Sequence, residues 1–426
     1  MSIWRNLAFM SASTLMRLTF GLLTFVAMAR MLGPTQFGVV MLWISVATLL
    51  ALIANFGLTP YMLREIGATP ERVTRVFAEV LVARLLLSLI VLMIAGVILF
   101  WLHPVSRIIF LLLLGAQLAD SLNEHLNVAF RATDRFGEET RIALIVAVTQ
   151  CLIVVLALWW DSSTLVAAWA LLVSRVTTFA ATWVVQQRHF TALRTVDIRA
   201  AWSRIRAARA YALDFGLQSL FGQVDSVVLN YFIGPLAVGV HQAGMRLFNG
   251  GAQVAGILAN VFLPRAASLA AEPIGFRREA AWIQWAYLGF GFAFGMTLCV
   301  AANPVVDLLF GQEYAPLGAL LPWFGVLFFV RFLAASWGLL LTSAGRQTFR
   351  TGVNALQWLL IAALSFALVP AYGLLGWLIC LVAGNAMLVA AYAWRGHSCI
   401  GMARRQPLTA AVALVCFVPF LNLPWL

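Results

Sequence analysis

The stretch Ala29-Arg30-Met31-Leu32-Gly33-Pro34-Thr35-Gln36-Phe37-Gly38 separates two long apolar runs. Asn230-Tyr231-Phe232-Ile233-Gly234-Pro235-Leu236-Ala237-Val238-Gly239 repeats its punctuation 201 positions later. Gly-Pro cannot continue a helix and makes a tight turn, so each stretch reads as a hairpin between two helices. Two hairpins of one design, each opening a half of the chain, point to a duplicated helical bundle. The structural residues of this reading are Gly33, Pro34 and Gly38, repeated as Gly234, Pro235 and Gly239.

The surroundings are those of a membrane protein. The chain has 426 residues, 63% of them hydrophobic and only 10% charged, where a soluble domain carries roughly 25%. Mean hydropathy is +0.93. Apolar runs of about 20 residues, each long enough to cross a bilayer as a helix, recur from end to end. The alternating pattern of a β-barrel is absent. The fold class is therefore an all-α polytopic membrane protein.

The formal charge of +12 comes from 28 basic residues, all of them Arg. They gather in alternate loops, which the positive-inside rule explains without invoking nucleic acid. Five scattered Cys without Cys-x-x-Cys spacing indicate neither a metal site nor a disulfide framework. Ala27-Met28-Ala29 resembles a signal-peptide cleavage site, but Arg17 interrupts the preceding apolar run, which is also too long. The first span is read as uncleaved.

Spans are expected at about 7–31, 37–60, 76–101, 107–129, 139–160 and 164–187. A second set follows at about 211–233, 237–263, 280–302, 316–342, 352–370 and 374–394. Domain bounds are then an N-terminal six-helix bundle 1–187, a basic linker 188–210, a C-terminal six-helix bundle 211–394, and a basic loop with a final apolar segment 395–426. In the linker, Ile198, Trp202 and Ile205 make an apolar stripe opposite the arginines, the pattern of a helix lying on anionic inner-leaflet lipids. The run 408–426 reads as a thirteenth span or an interfacial tail. Further echoes support duplication: Ala54-Asn55 and Pro60 against Ala259-Asn260 and Pro264, and Arg131-Ala132-Thr133-Asp134-Arg135 against Thr342-Ser343-Ala344-Gly345-Arg346. With an even number of spans per half, the repeats run parallel and place a central cavity between two pseudo-symmetric six-helix bundles.

These residues resemble the polysaccharide transporter branch of the multidrug/oligosaccharidyl-lipid/polysaccharide exporter superfamily, the Wzx-type flippases. That family's first hairpin is matched by Arg30, Leu32, Gly33, Pro34, Phe37 and Gly38. The opening of its second half is matched by Asp225, Ile233-Gly234, Ala243 and Leu247, with His241 where the family usually has Tyr. Leu309-Phe310-Gly311-Gln312-Glu313-Tyr314 resembles a further family segment. The resemblance implies two six-helix lobes, with spans 1, 2, 7 and 8 lining the cavity. It also implies movement of an undecaprenyl-diphosphate-linked oligosaccharide from the inner to the outer leaflet by alternating access, for polysaccharide or lipopolysaccharide (O-antigen) biosynthesis. The expected location is the bacterial plasma (inner) membrane with a cytoplasmic N-terminus, and polysaccharide polymerase or assembly proteins are expected partners. No cofactor is implied; H+ or Na+ is the expected coupling ion.

A diphosphate crossing hydrocarbon needs cationic groups in a wet cavity, and the planar fork of Arg suits phosphate oxygens. Arg17 and Arg246, well inside their apolar runs, are the expected diphosphate ligands; the competing reading is a helix-locking pair with a carboxylate. Arg30 either receives the headgroup late in the cycle or caps its helix at the interface. Asp225 is a coupling carboxylate or the salt-bridge partner of Arg17 or Arg246. Asn55 is a sugar-binding candidate. Asp120 and Glu124 share a face of span 4, where pairing with Arg84 or Arg175 is favoured over cation binding. Arg331 receives no role. A cation-coupled multidrug antiporter is the nearest alternative, and its cavity would be dominated by acids. An integral-membrane polymerase or ligase would need a large external loop bearing carboxylates, and every outward loop here is short. No Gly-x-x-x-x-Gly-Lys-Ser/Thr motif occurs to bind nucleotide.

Overall fold

The computed structural model describes residues 3–68, 73–132, 135–186, 197–220, 222–269, 272–400 and 405–421. Residues 188–196 of the expected linker and the last five residues of the chain lie outside them. Among the described residues there is no strand, and nine helices are long and apolar enough to cross a membrane. The chain divides into two compact all-helical units, Met1–Asn230 and Tyr231–Leu426.

Two of the helices are double-length and turn back on themselves. The first, α1 (Ile3–Asn55), has 53 residues broken at Gly33, whose φ of 69° and ψ of 167° are non-helical. Phe25 and Phe37 meet edge to face at 4.8 Å across this break. Twelve residues of straight helix would hold them ~18 Å apart, so the expected hairpin is present. Gly234, between α8 (Val224–Phe232) and α9 (Pro235–Ser268), has φ 108° and ψ −179°. Both glycines occupy a region of backbone space that is essentially closed to residues with a Cβ, and each is followed by a Pro whose fixed φ starts the next helix.

The remaining helices of the first unit are α2 (Leu58–Ala68), α3 (Val73–Leu99), α4 (Pro104–Ala132), α5 (Phe136–Trp160), α6 (Thr164–Gln186) and α7 (Ile198–Leu220). α1 packs against α5 and α4, and α4 against α6. Two expectations are corrected here. Span 2 ends early: Phe56 and Gly57 both take positive φ, 43° and 62°, and the chain restarts as α2 through what reads as a loop. A Cβ at Gly57 would lie 2.4 Å from the backbone carbon of Tyr211, so α7 seats directly on the break. The second correction concerns the linker, where α7 crosses residue 210 without interruption and ends at Leu220. Span 7 is therefore not one helix over 211–233; a turn at Gly222-Gln223 separates α7 from α8.

The linker's apolar stripe is also reassigned. Ile198 and Trp202 are exposed, whereas Ala201, Ile205 and Ala208 are buried against Tyr61, Met62, Val76 and Phe77. That spacing of i, i+4 and i+7 turns Arg204 inward. Its guanidinium donates to Glu79, Tyr61 and Glu65, each at 2.8 Å. Partial burial works against the charge of Arg204, but these three partners together raise its pKa above the usual arginine value. Arg64 donates to Tyr211 at 2.9 Å from the α2 side. The outer face of α7 keeps Arg199, Trp202, Arg206 and Arg209 exposed.

In the second unit, α10 (Pro273–Val300), the short α11 (Ala302–Leu309), a 3-10 turn at Gln312–Tyr314 and α12 (Ala315–Ser343) follow α9. The second double-length helix, α13 (Gln347–Ile400), is broken at Gly373, and Tyr392 reaches back to Asn354 at 2.8 Å. The last helix, α14 (Arg405–Val415), has 11 residues, about 16 Å of length against ~30 Å of hydrocarbon. It does not span. Phe417 beyond it is buried against Phe292 and Phe329, so the final run folds onto its own unit. α12 is the centre of this unit, packed by α10, α13 and α9.

Candidate functional site

In the first unit, the break at Phe56-Gly57 sits beside a buried arginine. Arg84 of α3 has no solvent exposure. Its Nη2 donates to Asn55 Oδ1 at 3.1 Å and Thr59 Oγ1 at 3.0 Å, on either side of the break. Its Nη1 donates to the Ser121 hydroxyl at 3.2 Å and to the Ser121 carbonyl of α4. Asn55 donates in turn to Glu124 at 3.4 Å, and Glu124 attracts the Arg84 charge. One turn along α4, Asp120 pairs with Arg175 of α6 at 2.6 Å. Asp120 thus has the basic partner favoured from the sequence, whereas Glu124 is linked to Arg84 through Asn55. Asn55, Thr59 and Ser121 accept from Arg84, so this cluster ties the broken span to α3 and α4. It is a joint of the scaffold. Asn55, expected to bind sugar, is 7% exposed and committed to that joint.

The other expected residues are placed as follows. Arg17 lies on the first arm of α1, and its side chain is outside the described residues. Arg30 is exposed, three residues before the Gly33 break. Asp225 is half-buried in the first turn of α8, where its Oδ1 accepts the Ser226 amide at 2.7 Å. Ser226 receives a hydrogen bond from Ser45 of α1 at 3.0 Å, which fastens α8 to the second arm of the hairpin. These residues all belong to the first unit, and Arg246, half-buried on α9, belongs to the second. His241 is buried, with its ring against Phe324 at 5.9 Å and Trp377 at 6.4 Å. It fills an aromatic seam.

The second unit contains a residue that was given no role. From Leu321 to Leu341, every side chain of α12 is buried except Arg331, which is exposed, and Ala335 one turn on, which is partly so. Arg331 is thus the one charge in an otherwise apolar, buried stretch of α12. It donates to Asn385 of α13 at 3.2 Å. Toward the loop end of the same seam, Arg350 donates to Gln347 at 3.2 Å and to Thr342. The signal that would have marked Arg331 is plain in hindsight: no Asp or Glu occurs anywhere from Tyr314 to Leu426, so no neighbour in sequence can neutralise it. Among the described residues, no group of His, Cys, Asp and Glu side chains is disposed to hold a metal ion.

The chain matches the polysaccharide biosynthesis protein family over residues 3–270. It belongs to that family. No individually curated protein matches the chain. Among solved structures, it superposes on the lipid II flippase MurJ in an inward closed conformation with a TM-score of 0.75 and 11% identity, covering 97% of this chain and 92% of that one. An inward-facing multidrug resistance MATE transporter of the same superfamily gives a TM-score of 0.68 and 18% identity, covering 96% and 98%. A eukaryotic MATE transporter, AtDTX14, gives 0.60 and 13%, covering 95% and 98%. At these identities the likeness establishes the fold. This polysaccharide biosynthesis family member has the two-lobed helical architecture of the multidrug/oligosaccharidyl-lipid/polysaccharide exporter superfamily, as its sequence indicates.

Proposed function

We propose that this chain is a transporter, not an enzyme, that flips an undecaprenyl-diphosphate-linked oligosaccharide from the inner to the outer leaflet of the bacterial plasma membrane by alternating access. The observation that carries the reading is the joining of a polysaccharide biosynthesis family to a fold otherwise seen in transporters. Arg17 and Arg246 are the proposed ligands of the diphosphate. Arg30 receives the headgroup near the first hairpin, and Asp225 couples the cycle to H+ or Na+. Arg331 joins them as an exposed cation in an apolar helix. The exposed face of α7, with Arg199, Arg206, Arg209 and Trp202, suits anionic inner-leaflet lipids. Polymerase or assembly proteins would receive the product, and the N-terminus is cytoplasmic. The likeness to MATE structures supports a second reading, a cation-coupled multidrug antiporter.

Purified protein in liposomes with a fluorescent undecaprenyl-diphosphate oligosaccharide separates the two. Under the flippase reading, the lipid moves between leaflets. Arg17→Ala and Arg246→Ala each slow it by about tenfold or more, the worth of one charge-assisted hydrogen bond. Lipid that stays put while the same vesicles export small organic cations selects the antiporter. Collapsing the ion gradient should stop wild-type transport, and a flux that ignores the gradient removes the coupling role of Asp225.

A further inference from the structure

The repeat breaks its own chemistry at one place. In the first unit, the turn after α4 carries Arg131 and Arg135, and each has a carboxylate of α5 as its partner. Arg131 donates to Glu139 at 2.9 and 3.0 Å, and Arg135 to Glu138. In the second unit, the matching turn after α12 ends in Arg346. The aligned register (135 onto 346) puts Phe349 where Glu138 stands and Arg350 where Glu139 stands. The arginine is kept and both acids are gone.

The space beside that turn is a cavity of about 350 Å³ lined by Gly345, Arg346, Thr348, Phe349, Trp394 and Arg395. This is within the size range of small-ligand pockets, ~300–1,000 Å³. Arg346 immediately precedes α13 and Arg395 lies near its end, the two brought together because that helix folds back at Gly373. Arg346 is held in place by the turn itself. Its amide donates to the Leu341 carbonyl at 2.8 Å, and that of Gly345 to Thr342 at 3.0 Å, closing the C-terminus of α12. The N-terminus of α13 adds its positive end. Trp394 is 69% exposed, an aromatic wall of the kind that sits at headgroup level. No acidic side chain occurs from residue 314 onward.

We propose that this cavity is an anion site for a phosphate group. Two guanidinium forks bind its oxygens, and the aromatic pair Trp394 and Phe349 flanks what the phosphate carries. The phosphate belongs either to an anionic membrane lipid or to a soluble phosphate compound. The site is independent of the translocation residues proposed above, and a binding measurement tests it whatever the chain transports.

Native mass spectrometry of the purified full-length protein counts retained phosphatidylglycerol against phosphatidylcholine. Pyrophosphate is titrated separately as the soluble probe. Retention of phosphatidylglycerol over phosphatidylcholine, lost by about tenfold or more in Arg346→Gln/Arg395→Gln, assigns the lipid source. Pyrophosphate binding lost in the same variant, without lipid selectivity, assigns the soluble one. Arg277→Gln/Arg278→Gln removes the same charge from exposed positions of α10 and should change neither. Trp394→Leu keeps both arginines and should weaken binding by a smaller factor at an unchanged melting temperature. Equal retention of the two lipids with no pyrophosphate binding overturns the site. So does binding that survives in Arg346→Gln/Arg395→Gln, or that falls equally in the α10 control.

Discussion

Arg84 and Arg331 look alike in the sequence, each a single arginine in an apolar run, and the fold gives them opposite environments. Arg84 is sealed among Asn55, Thr59, Ser121 and Glu124, so replacing it leaves several buried polar groups without their partner. Arg84→Leu should therefore cost ~3 kcal/mol or more of stability, seen as a lower melting temperature in detergent and poorer yield. Adding Glu124→Gln should recover part of it, because the orphaned charge is then removed. Arg331 is exposed on α12 and donates to Asn385 of α13. Arg331→Leu should leave the melting temperature within a degree or two of wild type, about the effect of a surface change, while slowing translocation. A large loss of stability in Arg331→Leu would make it a second structural joint. The sequence could not separate the two because the acceptors of Arg84 come from three helices whose meeting depends on the break after Asn55.

The hairpins were legible because Gly-Pro is a covalent signal: φ is fixed at the proline, and the preceding glycine alone tolerates φ near 69° or 108°. The break at Phe56-Gly57 was hidden because its cause is tertiary. Asn55-Phe56-Gly57-Leu58-Thr59-Pro60 resembles Asn260-Val261-Phe262-Leu263-Pro264, yet α9 runs through the second stretch unbroken to Ser268. Counting back from the prolines, Val261 stands where Gly57 does, and Gly57 is the position on which the backbone of α7 at Tyr211 rests. Gly57→Ala meets both the positive φ and a 2.4 Å approach, so ~1–2 kcal/mol is expected from the backbone strain alone, and the close approach adds to it. The readout should be local as well as global, with faster protease cleavage near the α7 start. Val261→Gly, the reciprocal change, should cost only the ~1 kcal/mol of a glycine in a helix. A Gly57→Ala protein as stable and as protease-resistant as wild type would show that α7 does not depend on this contact. The linker misreading has a related origin: Ile198 and Trp202 are large apolar residues, but the docked face keeps only Ile205 of the expected stripe and adds Ala201 and Ala208, whose small side chains allow close approach.

On the scale of the whole chain, the arginines sort the helix ends into two classes, which fixes orientation if the positive-inside rule holds. One class contains the ends near Arg64 and Arg75, near Arg131, Arg135 and Arg141, along α7, near Arg265, Arg277 and Arg278, and near Arg346, Arg350 and Arg395. The other contains the Gly33 and Gly373 turns, the α5–α6 turn at Asp161-Ser162-Ser163, and the α11 region with Asp307 and Glu313. The second class is poor in arginine, with Arg30 and Arg107 its members. The imbalance is large enough that single substitutions should not invert the protein, since orientation follows the summed bias of the short loops. In a variant with all five cysteines replaced, a cysteine at Ser162 should react with a membrane-impermeant thiol reagent added outside intact cells. One at Arg206, exposed on α7, should react only after the membrane is opened. The same pair in the second unit is Glu313 outside and Arg346 inside, and Glu313 is exposed beside the 3-10 turn. If Ser162 and Glu313 label together and Arg206 and Arg346 are protected together, both units share one orientation, as a parallel repeat of six spans each requires. If the units label oppositely, an odd number of crossings separates them, and the duplication is inverted. The six-span repeat, and the cytoplasmic placing of the Arg346–Arg395 pocket, would both fall with that result.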